Sequence, residues 1–339
     1  MIDGERFRFW SRLQITNEID GISTFQFSAP FEPDNEIFRR VFRPLSFKKV
    51  QITVGGSPLF TGTLVDVTPS IDPDANTIEI SGYSTIGVLA DCTQAESTLN
   101  LDFEGMTLAD IATALCAPFG IGVVTRADVG PAFADGVAIQ PSDNVWQFLT
   151  DLAQQRGLIL SNDDLGNLTI SNGAARGQPV ARLEQGQPPL ISIAPRFSAQ
   201  DYYSHLTGLS PMSIEDDGGR VTELNPHLSV PLRPLSFVAN DIDGAALGSA
   251  TRGKMGRMIA NAITYSVDVA TWRDQAGSLF SPQTLVTLIA PRAMIYSNYT
   301  FMIRSVSFNR DGSSASASLE LVLAGSFTDR VPARLPWDL

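Results

Sequence analysis

The chain has 339 residues and a mass of 36.6 kDa, enough for two or three domains that each bury a hydrophobic core. Hydrophobic residues make up 43% and charged residues 18%, and these values exclude global disorder. The net charge of −12, from 36 acids against 24 bases, disfavours a protein that grips nucleic acid, because a phosphate-binding surface needs an excess of bases.

Cysteine and histidine are too sparse for metal or disulfide chemistry. Cys92 and Cys116 form no CxxC motif, and His205 and His227 join no Cys/His cluster, so we expect two buried free thiols and no zinc site. The charged start predicts no secretory leader, and no run reaches the roughly 20 apolar residues of a membrane span. We therefore expect synthesis in a reducing cytoplasm.

Charge is segregated along the chain. Residues 51–150 hold 12 acids and one base, and residues 201–250 hold seven acids and two bases. Residues 251–300 reverse the balance, with five bases and two acids. Such segregation is typical of surfaces with different partners, although scattered solvated charge would also produce it.

The N-terminal quarter has the pattern of short antiparallel strands. Apolar and polar residues alternate over 10–29 on both sides of Asp20-Gly21, a hairpin turn signal. The segments 50–70 and 77–84 repeat the period of two. Several strands within about 85 residues predict a small antiparallel barrel or sandwich.

Residues 94–180 change to a mixed pattern that predicts a small α/β domain. Thr107 with Asp110 predicts a capped helix, and Ser142 or Asp143 predicts the cap of a second helix. Gly157 is placed to end that helix, and a hairpin is predicted over 158–171. The second helix has an apolar stripe that we expect to be core, made of Val145, Trp146, Phe148, Leu149 and Leu152.

The rest of the chain returns to strands around one helix. The patterns predict a connector at 172–189, strands at 190–195 and 202–211, a polar excursion at 213–236, a helix at 244–263 and four strands between 264 and 325, the last two joined at Asp311-Gly312. The order is thus a β unit, an α/β insert and a second β unit.

No constellation of residues predicts catalysis, cofactor binding or metal binding. The acid pairs Asp102/Glu104 and Asp216/Asp217 and the dyad Ser204-His205 are the candidates with some chemical meaning, and the segment 163–167 faintly resembles a calcium loop. No GxSxG, HExxH, P-loop, EF-hand or GxGxxG pattern accompanies them. We expect no catalytic, cofactor-binding or metal-binding residues, and a structural protein.

Six segments resemble those of a known family. They are 10–30 with its Trp, Asp turn and Phe-x-Phe, the hairpin 50–70, the strand and Leu-x-Asp-Cys of 80–93, the helix end 115–123, the helix and hairpin 141–171, and the strand region 265–288. In order and spacing the chain resembles the baseplate hub proteins of contractile-tailed bacteriophages, the Mu-like tail protein and T4-type hub group. It resembles more distantly the N-terminal part of type VI secretion spike proteins. Phe280 and Gln283 replace the Trp and Asn usual in this family.

Together the patterns and the resemblance imply a multidomain β-rich protein (β plus α/β), with two tube-type antiparallel β-barrels separated by a small α/β domain. The expected boundaries are 1–93 for the first barrel, 94–180 for the α/β domain, 181–212 with 264–329 for the second barrel, 213–263 for an insertion with a loop and a helix, and 330–339 for a C-terminal tail.

The resemblance also implies a function without enzymatic activity. It predicts a homotrimeric baseplate hub and symmetry adaptor that joins the hexameric tail tube to the trimeric central spike. The expected partners are the tail tube, central spike, baseplate wedge and tape-measure proteins, with DNA only in transit and no stable membrane binding. The expected location is the tail baseplate of a virion, or of a bacteriocin-like particle, made in the host bacterial cytoplasm.

Two other functions remain open at this level, a tail-associated cell-wall hydrolase and a carbohydrate-binding module. For the hub, we also hypothesise that part of the acidic surplus faces the channel, since basic walls would hold passing DNA. Arg39, Arg40, Lys48 and Lys49 are then expected to lie away from the channel, towards partner proteins. The alternative is that the acidic side chains lie on the outer surface and are simply solvated there.

Overall fold

The computed structural model of the chain describes residues 1–73, 76–99, 103–133, 137–210, 219–228, 230–239, 244–328 and 330–338. In these ranges the chain forms seventeen β-strands and five α-helices. The predicted β-rich architecture with helices concentrated in inserts is confirmed.

The N-terminal strands form where the period of two predicts them. They are β1 (Arg12–Glu18), β2 (Thr24–Pro30), β3 (Lys49–Val54), β4 (Ser57–Ile71) and β5 (Asn76–Ser84), with the short helix α1 (Glu36–Val41) between β2 and β3. In β1, Leu13 and Ile15 are buried, and in β2, Phe25 and Phe27 are buried. Their alternation with exposed neighbours gives the sheet one apolar face.

An α/β module follows β5. Its elements are α2 (Val88–Asp91), α3 (Leu108–Cys116), β6 (Val123–Thr125), α4 (Val145–Gln155), β7 (Leu158–Asn162) and β8 (Leu168–Asn172). The predicted capping box of α3 is confirmed, because the Thr107 side chain accepts the Asp110 N–H and the Asp110 carboxylate accepts the Thr107 N–H. Gly157 ends α4 with φ +67°, a left-handed conformation that glycine adopts without steric cost.

Two details of α4 differ from the sequence prediction. The cap is Asn144, not Ser142 or Asp143, because the Asn144 side chain accepts the Gln147 N–H at 2.7 Å. Within the stripe, Val145, Leu149 and Leu152 are buried in the module core, whereas Trp146 and Phe148 are half-buried at its border. Removing the Trp146 ring therefore creates a smaller cavity than a fully buried tryptophan would leave.

The C-terminal strands extend the first sheet. They are β9 (Arg176–Glu184), β10 (Leu190–Phe197), β14 (Ile263–Val269), β15 (Thr284–Ala290), β16 (Ile295–Asp311) and β17 (Ser314–Leu323). The predicted connector at 172–189 is wrong, since β9 pairs in parallel with β15 and buries Ala181 and Leu183. Gly, Pro and Gln in this segment hide the apolar–polar alternation from which a strand is predicted.

A smaller sheet lies between β10 and β14 in the chain. It contains β11 (His205–Leu209) at its centre, antiparallel to β12 (Arg220–Leu224) and parallel to β13 (Pro234–Val238). The polar excursion predicted at 213–236 thus contains strands, although residues 211–218 and 229 lie outside the described ranges. Helix α5 (Gly244–Ala262) packs on this sheet, and the helix predicted at 244–263 is confirmed.

The two ends of the chain share one eleven-stranded sheet. Its order is β10-β14-β17-β16-β1-β2-β5-β4-β3, with β15 on β16 and β9 on β15. Strand β1 pairs with β2 on one side and with β16 on the other, from Arg12↔Asp311 to Glu18↔Ser305. The prediction of two separate barrels is not confirmed, because the halves are continuous through β1 and no pairing between described strands closes either half.

Two glycines allow the segment around Phe327 to pass close to the end of the α/β module and to α5. A Cβ on Gly173 would lie 1.9 Å from the Phe327 carbonyl oxygen, and a Cβ on Gly256 would lie 2.5 Å from the Ser326 carbonyl oxygen. This close approach explains a glycine in the middle of α5, where it lowers helix propensity. None of the helices within the described ranges is long and apolar enough to cross a membrane.

This packing predicts opposite effects for two glycines of α5. Gly256→Ala should lower the free energy of unfolding by about 1–3 kcal/mol, because the methyl group meets fixed backbone. Gly253→Ala, whose Cβ would meet only the Arg257 guanidinium at 3.7 Å, should raise it by about 0.5–1 kcal/mol. Urea denaturation of both variants provides the measurement, and equal effects would contradict the close approach.

Candidate functional site

The Ser204-His205 dyad is a structural contact. Ser204 Oγ lies 2.8 Å from His205 Nδ1, and it accepts the Arg233 N–H at 2.7 Å. Ser204 is only 1% exposed, and in the described part of the chain no carboxylate hydrogen-bonds to His205. The hydroxyl therefore links the start of β11 to the residue before β13. The dyad lacks the third group that orients a catalytic histidine.

The acidic candidates do not assemble into a site. Asp102, Asp216 and Asp217 lie outside the described residues, and Glu104 is exposed. In the calcium-like segment, the Asp163 carboxylate accepts the Leu165 and Asn167 N–H groups at 3.0 and 2.8 Å, so its oxygens are used by a hairpin turn. Among the residues that the structure describes, no three His, Cys, Asp or Glu side chains are grouped to hold a metal ion.

Polar residues that are far apart in the sequence instead connect the large sheet, the α/β module and α5. Asp20, in the β1–β2 turn, accepts hydrogen bonds from Arg257 Nε of α5 and from Gln154 Nε2 of α4, both at 3.3 Å. Arg257 Nη2 also donates to the Leu158 carbonyl oxygen at 2.9 Å. The Asp20 and Arg257 side chains are only 9% and 12% exposed, so one buried ion pair connects the sheet, the α/β module and α5.

Burial dominates the electrostatics of this junction. It raises the pKa of Asp20 above the ordinary value, against the lowering effects of Arg257 and Arg304. Burial likewise raises the pKa of Glu18. The positive charge of Arg304 opposes this rise, and the negative charge of Glu320 adds to it. A polar cleft of about 710 Å³ opens beside these residues, between α5 and the edge of the large sheet.

A second junction centres on Gln283, which precedes β15. Gln283 Nε2 donates to the Asn172 carbonyl oxygen at 2.7 Å, and Oε1 accepts from the Arg176 guanidinium. The side chain is 1% exposed, and the backbone adopts φ +67°. Asparagine tolerates this left-handed region better than glutamine, but its side chain is one methylene shorter. The longer side chain spans the exit of the α/β module and the start of β9.

Sequence reasoning missed both junctions because their members are far apart in the chain. The turn signal at Asp20 and the family position at Gln283 were recognisable, but nothing local indicated Arg257 or Arg176 as partners.

The large sheet branches at β16, and the two terminal strands of its main path, β3 and β10, differ. Beside β3, the Asp3 N–H donates to the Lys49 carbonyl oxygen at 2.7 Å and the Gln51 N–H donates to the Met1 carbonyl oxygen at 2.8 Å, so the first residues cover this edge. Strand β10 has no neighbour on its outer edge within the described residues. Six of its eight residues are exposed and none is buried. An uncovered strand of this kind is a candidate assembly surface.

Comparisons with known proteins find similarity to phage baseplate proteins. Residues 86–172 match the family described as baseplate hub protein gp44-like, second domain. The baseplate hub protein gp44 of Escherichia phage Mu is 22% identical over 311 residues, which cover 86% of this chain and 79% of the phage protein. The resemblance to phage baseplate hub proteins is thereby confirmed.

Solved structures show the same fold. A tail protein from Neisseria meningitidis MC58 superposes with a TM-score of 0.81 at 24% identity, over 98% of both chains. A type VI secretion system component from E. coli, described as similar to the T4 tail proteins gp27 and gp5, has a TM-score of 0.61 at 10% identity. The match covers 98% of this chain and 79% of that one. At these identities the superpositions show a shared fold.

The Gln283 junction can be tested with a matched pair of variants. Gln283→Leu should lower the free energy of unfolding by about 2–3 kcal/mol, because it leaves the Arg176 guanidinium and the Asn172 carbonyl group without this partner. Gln275→Leu, at an exposed position, should change it by less than about 0.5 kcal/mol. Chemical denaturation measures both, and a Gln283→Leu variant as stable as Gln275→Leu would contradict the assignment.

The Asp20 junction predicts a pH dependence of defined sign. Because the folded state raises the pKa of Asp20, it binds the proton more tightly than the unfolded chain does. The stabilising contribution is therefore full in acid below the unfolded pKa, and it is lost as pH rises through the folded pKa. Relative to Asp20→Asn, the parent protein should lose stability from about pH 4 towards neutrality.

Denaturation curves of the two proteins across this pH range make the measurement. Glu18, Arg304 and Glu320 are the same in both proteins, so their effect largely cancels in the difference. Parallel stability curves would show that Asp20 has the same pKa folded and unfolded.

Proposed function

We propose that this chain is the structural hub of a contractile tail baseplate, in a phage or phage-like particle, and that it has no enzymatic activity. The supporting observation is the similarity to the Mu baseplate hub protein over 86% of the chain. The fold over 98% of the chain agrees with it. The proposed location is the virion tail baseplate, after synthesis in the host cytoplasm.

We propose a homotrimer that adapts sixfold to threefold symmetry. The large sheet has one half built from β1 to β5 and another built from β9, β10 and β14 to β17, joined at β1–β16. Three copies would present six such halves, enough to continue a hexameric tail tube, while the whole assembly keeps the threefold symmetry of a central spike. We propose the domain division predicted from sequence with two changes: β11 is grouped with the insertion at 213–263, because it pairs with β12 and β13, and the whole of β9 is grouped with the second β-rich half, because it pairs with β15.

The proposed partners follow from this position. The tail tube and tape-measure proteins would meet one face of the ring, the central spike the other, and the wedge proteins its periphery. DNA would pass through the lumen without stable binding. The net charge of −12 supports a lumen wall that repels phosphate.

The rival functions lack a specific supporting observation. A cell-wall hydrolase would need a positioned acid or nucleophile, whereas Ser204 is buried in a backbone contact. A carbohydrate-binding module would be expected to bind a glycan as a monomer.

The oligomeric state provides the test. Light scattering after size-exclusion chromatography of the purified chain at micromolar concentration should show a particle of about 110 kDa, three times the 36.6 kDa of one copy. A monomer at micromolar concentration would overturn the hub proposal. A reconstruction of the trimer should then show a lumen lined by acidic or neutral groups, and a lumen lined mainly by Arg and Lys would overturn the account of DNA passage.

A further inference from the structure

The loop between β2 and β3 is strongly basic. The segment 37–49, called here the basic loop, carries five bases and no acid, namely Arg39, Arg40, Arg43, Lys48 and Lys49. Arg40 pairs with Glu5, and Lys48 lies 3.2 Å from Asp3. In the described part of the chain, Arg39, Arg43 and Lys49 form no ion pair, and all three are exposed.

The same loop presents large apolar side chains to solvent. Leu45 is 85% exposed, Phe47 63% and Ile37 54%. Leu45 and Phe47 also have φ values of +58° and +46°, a backbone region that costs about 1–3 kcal/mol for bulky residues. Exposure and strain together in a single chain indicate a conformation that a partner stabilises.

The base of the loop is firmly held. Phe38 and Phe42 are buried and pack edge-to-face on Phe7, with ring centroids 5.7 and 5.1 Å apart. Asn35 caps α1 by accepting the Ile37 N–H at 3.0 Å. The exposed groups are therefore displayed from a rigid support, which reduces the entropy lost on docking.

A surface of opposite charge exists on the same chain. The α/β module, residues 86–172, contains eleven acids and two arginines, which accounts for most of the chain's net charge. Its exposed carboxylates include five that form no ion pair among the described residues: Asp91, Glu96, Asp110, Asp128 and Asp143. For two other carboxylates, Asp151 and Asp164, burial raises the pKa, and the positive charges of Lys254 and Arg126 respectively oppose that rise.

We propose that the basic loop of one copy docks on the acidic α/β module of the neighbouring copy. The inference rests on the proposed ring, in which copies are adjacent and each offers both surfaces. Charge complementarity favours a second copy over nucleic acid, because the chain's overall charge of −12 repels phosphates, whereas a neighbouring module attracts the bases. Leu45 and Phe47 would become buried in this contact, and the free energy gained by their burial would offset their backbone strain.

The lysine content makes a direct test possible. Lys48, Lys49 and Lys254 are the three lysines of the chain. A carbodiimide joins a lysine amine to a carboxylate in contact with it, so few products can form. We would mix unlabelled and ¹⁵N-labelled protein, let the subunits exchange, cross-link them and identify the joined peptides by mass spectrometry.

The expected products contain one light and one heavy peptide, joining Lys48 or Lys49 to a carboxylate of 86–172. Products of Lys48 with Asp3 should carry a single isotope, since this 3.2 Å contact lies within one chain, and they serve as the internal control. In Lys48→Arg/Lys49→Arg the charge remains, so the trimer should persist while the mixed products disappear. Arg39→Glu/Arg43→Glu should weaken assembly about tenfold at low salt, with a smaller loss at high salt.

The outcomes separate the two proposals. A trimer in which Lys48 and Lys49 give no mixed-isotope product with a carboxylate of 86–172 overturns the docking while the hub remains. A chain that stays monomeric overturns the hub and, with it, this contact.

Discussion

The pairing of β1 with β16 is the constraint on which the rest of the fold depends. It joins residues almost three hundred positions apart, and side chains as well as backbone take part, since Thr16 Oγ1 lies 2.8 Å from Ser307 Oγ. Closing so long a segment costs entropy before any contact is gained. The shared core offsets this cost, because Ile15 and Phe25 from one end bury with Phe301 and Phe308 from the other. Neither half is therefore complete alone.

The inserts are oriented on this sheet by a few polar contacts over a small apolar base. Ile19, Ile159 and Met302 belong to a buried cluster that brings together the β1–β2 turn, the α/β module and the sheet. Apolar contact alone specifies orientation weakly, whereas the Asp20–Arg257 pair requires one geometry to satisfy its hydrogen bonds. Tilting the α/β module or α5 away from the sheet would separate the two partners and leave a buried charge unpaired, which is costly.

The parts predictable from sequence were those with local physical signals. Asp311-Gly312 gave the last hairpin, and Thr107 with Asp110 gave a helix start, because both act within a few residues. Strand β9 was missed since its Gly, Pro and Gln residues hide a pattern that only the partner β15 makes meaningful. The junctions formed by Asp20 and Gln283 depend on tertiary neighbours, which no local periodicity encodes. The resemblance supplied the functional class, but it could not show that the two β-rich ends form one sheet.

The covered edge of β3 has a consequence for how far copies can associate. If the β3 edge were open as the β10 edge is, β10 of each copy could add to β3 of the next and the chain would polymerise into fibres. Met1 and Asp3 occupy the backbone groups that such growth would need. Pro195 further removes one N–H from β10. The covered β3 edge thus disfavours fibre growth by addition of β10 of one copy to β3 of the next.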